Sequence, residues 1–150
     1  MNAEPGRYVP PRPRTRGTRM HRDGPPHPAG THGPATIAEL ADRLRLFAEE
    51  RDWQQFHTPK NLAMALSGEV GELLAELQWL TPQESARVMV DPVAGGRVRA
   101  EMGDVMIYLV RLADVLGIDL VQAATDKLTD AARRYPVERV RGSAAKALDT

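Results

Sequence analysis

Cysteine is absent from all 150 residues, so disulfides, thiolate catalysis and thiolate metal sites are excluded; the absence fits a reducing, cytoplasmic setting. No run of 18 apolar residues occurs, so no segment is expected to span a membrane, and the N-terminus lacks the apolar stretch of a signal peptide. Net charge is absent too, but only as a balance. Six arginines stand against Glu4 and Asp23 in residues 1–35, leaving the rest of the chain net negative by four. An anionic ligand of that part therefore needs a local cation. Convincing period-2 alternation and internal repeats are also missing, which argues against a sheet and against a solenoid.

What is present is helical. Prolines at positions 5, 10, 11, 13, 25, 26, 28 and 34 forbid an amphipathic helix in residues 1–35, which read as a disordered Arg/Pro-rich tail. Thr36 followed by Glu39 forms a capping box ahead of Ile37, Leu40, Leu44 and Phe47, predicting a helix over 36–51. After the connection RDWQQFH, Thr58 and Pro59 provide an N-cap and first-turn proline for a helix reaching Leu80. Thr81 and Glu84 make a second capping box, for a short helix expected to end at Pro92. Gly95 and Gly96 read as a turn before a helix over 97–116 that Gly117 stops, and Asp119 caps a last helix over 120–134. The domain at 36–136 is therefore all-α, a helical bundle, with 137–150 as a loose C-terminal extension.

Two of these helices carry acidic stripes. At about 100° per residue, Glu69, Glu72 and Glu76 fall within roughly 60° of one another, bordering Leu66, Val70, Leu73, Leu74 and Leu77. Glu101, Asp104 and Tyr108 do the same on a helix that is apolar almost all round and is expected to be buried. Gathering Glu69, Glu72, Glu101 and Asp104 costs repulsion and desolvation. A divalent cation offsets that cost, and carboxylate oxygens suit Mg²⁺, which keeps room for phosphate oxygens. The competing reading is an ordinary solvated helix face, or salt bridges from Lys60, Arg97, Arg99 or Arg111.

ERDWQQFHTPKNLAMALSGEVGELLAELQW, EMGDVMIYLVRLADVLGIDL and RRYP together resemble the all-α nucleoside triphosphate pyrophosphohydrolases of the MazG type, over roughly residues 36–143 and most closely in their dCTP pyrophosphatase branch. The resemblance implies Mg²⁺-dependent cleavage of a nucleoside triphosphate between its α and β phosphates, giving a monophosphate and pyrophosphate. It assigns the metal to Glu69, Glu72, Glu101 and Asp104, and substrate contacts to Trp53, Gln54, Gln55, Phe56, His57, Trp79, Tyr108 and, with a lysine expected there, Lys127. It also implies a bundle completed by homodimerisation, as a dimer or a dimer of dimers. Two positions depart from the branch: Leu44 stands where a histidine is expected and Ala131 where an asparagine is, which puts base or sugar preference in question.

The residues themselves agree with that chemistry. Glu76 extends the first stripe and is a candidate outer carboxylate or water-orienting base. Lys60, Arg133 and Arg134 are further candidate cations for a triphosphate, each also readable as a solvated helix residue. Trp53 and Trp79 suit either a core or interface or the stacking of a base, and their places in a connection and at a helix end favour stacking. His57, with no second histidine or cysteine beside it, reads as a hydrogen-bonding group and not as a zinc ligand. The leading expectation is a pyrophosphohydrolase of dCTP or modified dCTP that sanitises the nucleotide pool. The alternatives are the same chemistry on dUTP or a broad set of triphosphates, or a non-catalytic helical module that binds a metal or a partner. No membrane and no specific nucleic-acid partner is expected.

Overall fold

The computed structural model describes residues 33, 34 and 36–143; the Arg/Pro-rich tail and the end of the C-terminal extension lie outside them. The described residues contain six α-helices and no strand: α1 (Ile37–Glu49), α2 (Pro59–Leu77), α3 (Pro82–Ser85), α4 (Pro92–Leu116), α5 (Leu120–Arg134) and α6 (Val137–Val140). None is long and apolar enough to cross a membrane. Short 3-10 turns at Gln54–Phe56 and Val88–Val90 precede α2 and α4.

Local chemistry sets most boundaries. The Thr36 hydroxyl accepts from the Glu39 backbone N–H at 3.1 Å, and the Glu39 carboxylate accepts from the Thr36 N–H at 3.0 Å, closing the first capping box. Thr81 and Glu84 repeat it for α3. Thr58 caps α2 with Pro59 in its first turn, and Asp119 caps α5 through the Val121 and Gln122 N–H groups. Gly117 ends α4 in the left-handed conformation at φ 65°, where the Ile118 N–H reaches back to the Ala113 carbonyl at 2.9 Å.

Two expectations about the start of α4 are corrected. Pro92 opens the helix instead of closing the preceding one, because Asp91 accepts from the Val93 and Ala94 N–H groups and proline costs nothing at a first-turn position. Gly95 and Gly96 lie within α4 and make no turn. Gly95 is required by packing: a Cβ there would stand 3.0 Å from the Met89 Cα and 3.3 Å from the Val88 carbonyl, so the 3-10 turn presses directly on the helix backbone. Residues 137–140, expected to be loose, form the short α6.

The packing centres on α4, against which α2, α1 and the Val88–Val90 turn lie. Ala48, Leu62, Val98, Val110 and Ala113 make up the buried apolar set, with Leu62 and Val110 at 2% and 1% exposure. The set is small, and the expectation that α4 is buried all round is not met. Met102, Met106, Ile107, Leu109, Val115 and Leu116 all remain exposed, because within one chain α4 has neighbours on only part of its circumference.

Candidate functional site: an acidic cluster and an aromatic cavity on one helix pair

α2 and α4 run antiparallel, so the stripe of one meets the stripe of the other near Glu69 and Glu101, while Leu62 faces the opposite end near Tyr108 and Arg111. Glu69, Glu72 and Glu101 converge until one carboxylate oxygen from each lies within 4.8 Å of the others. Glu69 and Glu72 come from successive turns of α2, and Glu101 reaches them from α4, where it is buried. An all-oxygen donor set of this kind fits a hard divalent cation such as Mg²⁺, which would neutralise three like charges held this close.

The two remaining carboxylates expected here are placed differently. Asp104 is exposed on α4 and stands outside the three-glutamate group. Glu76 also stands outside it: its Oε2 accepts from Arg97 Nε at 2.7 Å, in an ion pair that holds a half-buried carboxylate against an exposed guanidinium. This is one of the salt bridges named as an alternative for the stripe. Of the arginines named as alternative partners, Arg97 pairs with Glu76 and Arg111 with Asp114 at the far end of α4.

That far end holds a cavity of about 310 Å³, lined by Arg43, Leu44, Phe47, Trp53, His57, Leu62, Ile107, Tyr108 and Arg111, a volume typical of small-molecule sites. Its aromatic wall follows from how α1 ends. Asp52 adopts the left-handed conformation at φ 54°, a region that aspartate tolerates better than most residues. This lets the Trp53 N–H bond the Ala48 carbonyl at 2.9 Å, and the chain folds back on the helix end. Trp53 then meets Phe47 edge to face, with ring centroids 5.9 Å apart, and stands 6.4 Å from His57. Arg51 stacks over the Phe47 ring at 3.6 Å.

Two of the lining residues, Arg111 and His57, belong to a hydrogen-bonded network that continues to Asp114 and Arg45. Arg45 Nη2 donates to Asp114 Oδ1 at 2.5 Å, Arg111 Nη1 donates to Asp114 Oδ2, and Arg111 Nε donates to His57 Nδ1 at 3.2 Å. The hydrogen bond from Arg45, aided by both guanidinium charges, holds the Asp114 carboxyl below its usual range. Burial, with the Arg111 charge beside it, pushes the His57 imidazole below its usual value, so His57 is neutral at pH 7 and keeps its proton on Nε2. Asp114 and Arg45 were not anticipated as part of any site. The available signal was Arg111 itself, an arginine in the otherwise apolar run of α4 with an aspartate one turn on.

Of the predicted substrate contacts, the cavity gathers Trp53, His57 and Tyr108. Gln54, Gln55 and Phe56 form the exposed 3-10 turn beside it, with the Gln55 side chain donating to the Asp52 carbonyl, and do not line it. Trp79 does not join it either: it is 87% exposed beyond the other end of α2. Lys127 is exposed on α5, and Ala131 half-buried there. Leu44 lies in the cavity wall, so the apolar residue at that position borders the site directly. A larger hollow, about 490 Å³, opens between the start of α1 and the α4–α5 junction. Its lining is aliphatic with Asp114 and Asp119 as the charges, which suits neither a phosphate nor a stacked ring.

Residues 64–149 match the MazG-like family. The dCTP pyrophosphatase 1 of Bos taurus is 47% identical over 113 residues, spanning 73% of this chain and 67% of that protein. The dCTP pyrophosphatase 1 of Rattus norvegicus is 40% identical over 139 residues, spanning 89% and 82%. A crystal structure of a pyrophosphatase from Archaeoglobus fulgidus superposes with a TM-score of 0.63 at 40% identity, covering 70% of this chain and 96% of that one.

Proposed function

The chain belongs to the MazG-like family, and from that premise we propose that it is a Mg²⁺-dependent nucleoside triphosphate pyrophosphohydrolase acting on dCTP or a modified dCTP. The observation that carries the reading is the pairing of two unlike sites along one pair of helices. Glu69, Glu72 and Glu101 gather at one end, and the aromatic cavity opens at the other. Along α4 the rise from Glu101 to Tyr108 and Arg111 is about 10–15 Å at 1.5 Å per residue. That is comparable with the reach from the phosphates of a nucleotide to its base.

In this reading Glu69, Glu72 and Glu101 hold the cation, and Asp104, exposed one turn beyond Glu101, completes the set by a rotamer change. Bound there, Mg²⁺ would neutralise phosphate charge and favour a nucleophilic water at neutral pH. The remaining work falls to the protein. Trp53 stacks the base, Tyr108 contacts the sugar or phosphate from the α4 wall, and the cavity excludes water from the base. Arg43, at the cavity edge, supplies a local cation in a domain that is otherwise net negative.

A second protomer is part of the proposal. Trp79, Leu74 and Met102 are 87%, 61% and 58% exposed, on the same helices that bear the site. Apolar surface of this extent on α2 and α4 is the signature of a covered interface. A homodimer or a dimer of dimers would cover it, and could bring Trp79 or Lys127 to the partner's site.

Pyrophosphate and monophosphate release from a panel of triphosphates, followed by phosphorus NMR with and without Mg²⁺, tests the reading. Conversion of dCTP to dCMP and pyrophosphate only with Mg²⁺ is expected. Equal turnover of dUTP would point to the broader substrate range that an apolar Leu44 permits. Mg²⁺ binding with no product from any triphosphate would leave a non-catalytic module.

A further inference from the structure

We propose that Arg111 is a specificity-determining residue, presenting a fixed hydrogen-bond donor to the acceptor edge of the base; this rests on the pyrophosphohydrolase reading above. Arg111 is only 7% exposed, on a stretch of α4 formed by Ile107, Leu109, Val110, Leu112 and Ala113. Burying a guanidinium there costs free energy unless its charge and its N–H groups are matched.

The matching is partial in a specific way. Asp114 accepts from Nη1 and His57 accepts from Nε, while Arg45 holds Asp114 from the far side at 2.5 Å. A guanidinium carries five N–H donors, and these bonds leave Nη2 without an acceptor among the described residues. No buried side-chain nitrogen or oxygen among the described residues lacks a partner. Nη2 therefore reaches accessible space, and the hollow that Arg111 borders is the aromatic cavity.

His57 lines the same cavity. Its Nδ1 is occupied by Arg111, so Nε2–H is a second donor. Leu44, Leu62 and Ile107 bring no polar atom to the wall. Arg111 and His57 thus present two donors side by side, with the Tyr108 hydroxyl, able to donate or accept, on the α4 wall, and that pair of donors favours a base edge with adjacent acceptors. Among the common bases only cytosine offers two side by side on its pairing edge, O2 and N3. Uracil and thymine place an N–H between their two carbonyls, which would face the Arg111 donor with another donor and leave both unmatched. The anchoring by Asp114, Arg45 and His57 matters because a guanidinium held at two of its three nitrogens cannot swing to suit the other edge.

The test compares dCTP, dUTP and 3-deaza-dCTP, in which a C–H replaces the N3 acceptor, as substrates of the full-length wild type and of Arg111→Lys and Arg111→Gln. In the wild type kcat/KM for dCTP is expected to exceed that for each of the others by roughly ten- to a hundredfold, the range for one unmatched buried hydrogen bond. In both variants the ratios should shrink towards one, because dCTP loses more than dUTP does. Equal wild-type rates with dCTP and 3-deaza-dCTP would overturn the proposal without any variant. So would variants in which all three substrates fall in parallel, the mark of a structural role alone. A wild type that releases no pyrophosphate from any triphosphate fails at an earlier step, sinking the pyrophosphohydrolase reading and this one with it.

Discussion

At one end of the α2–α4 pair, carboxylate oxygens of Glu69, Glu72 and Glu101 approach within 4.8 Å; at the other, the Asp114 carboxylate stands between the Arg45 and Arg111 guanidinium groups, and neutral His57 accepts from Arg111. The second network is largely self-compensating, since the protein supplies both signs. The first brings three carboxylates to one place, while Arg97 pairs with Glu76 beside them. The two ends therefore accept different chemistry. The acidic end suits a cation and whatever anion that cation carries, whereas the aromatic end, with Trp53, His57 and Tyr108, suits an uncharged ring with hydrogen-bonding edges.

Breaking the acidic end should have the largest effect. Glu101→Gln removes the buried member of the cluster and should lower kcat/KM on the order of a hundredfold or more. Mg²⁺ at a hundred times its Kd should stabilise the wild type by about 2.7 kcal/mol and the variant by much less, as thermal melts with and without Mg²⁺ would record. Trp53→Ala, at the other end, should act on binding. Lost stacking of about 1–3 kcal/mol should raise KM for dCTP by roughly ten- to a hundredfold with kcat changing less.

A pH series sharpens the contrast, because titration of the aromatic end has a definite sign. Burial and Arg111 hold the His57 pKa below the ordinary value near 6.5, so an unfolded chain takes up that proton more readily than the folded one. The contribution of neutral His57 is complete above pH 6.5 and is lost as pH falls from there through the depressed folded value. Asp114, held down by Arg45, behaves likewise at lower pH: its contribution is present above its ordinary value of about 3.8 and lost as pH falls through the folded one. Melting temperatures should therefore decline in two steps, and KM for dCTP should rise with the first, when protonated His57 can no longer accept from Arg111. The smallest effect should come from Glu76→Gln. Its partner Arg97 is more than half exposed, so turnover should change by less than about threefold. A loss as large as that of Glu101→Gln would return Glu76 to the reacting centre.

Much of this was legible in the chain itself where the physics is local. The capping boxes at Thr36 and Thr81, the N-caps Thr58 and Asp119, and the stop at Gly117 each depend on residues within one turn, and each forms as expected. The same locality misled at Pro92 and Gly95. Proline followed by a glycine pair reads as a break, but Asp91 makes the proline a first-turn residue, and Gly95 is small because Met89 lies against it from a neighbouring turn. The spacing of Glu69, Glu72 and Glu101 marked two faces that could meet. It did not separate Asp104 and Glu76 from them, because a stripe some 60° wide holds residues that differ in what stands opposite.

The sequence alone determined that this protein is helical, where its helices are capped, and which two of them carry acidic stripes, since backbone hydrogen bonding and side-chain periodicity are properties of short segments. Which carboxylates converge, that Arg97 pairs with Glu76, and that Arg45, Asp114, Arg111 and His57 form one network reaching the aromatic cavity through Arg111 and His57 follow from the folded arrangement of the helices. Those pairings join α1, α2, α4 and the connection before α2, at sequence separations such as the 69 residues between Arg45 and Asp114. Over such distances the outcome depends on how whole helices pack, and no local rule records the facing partner.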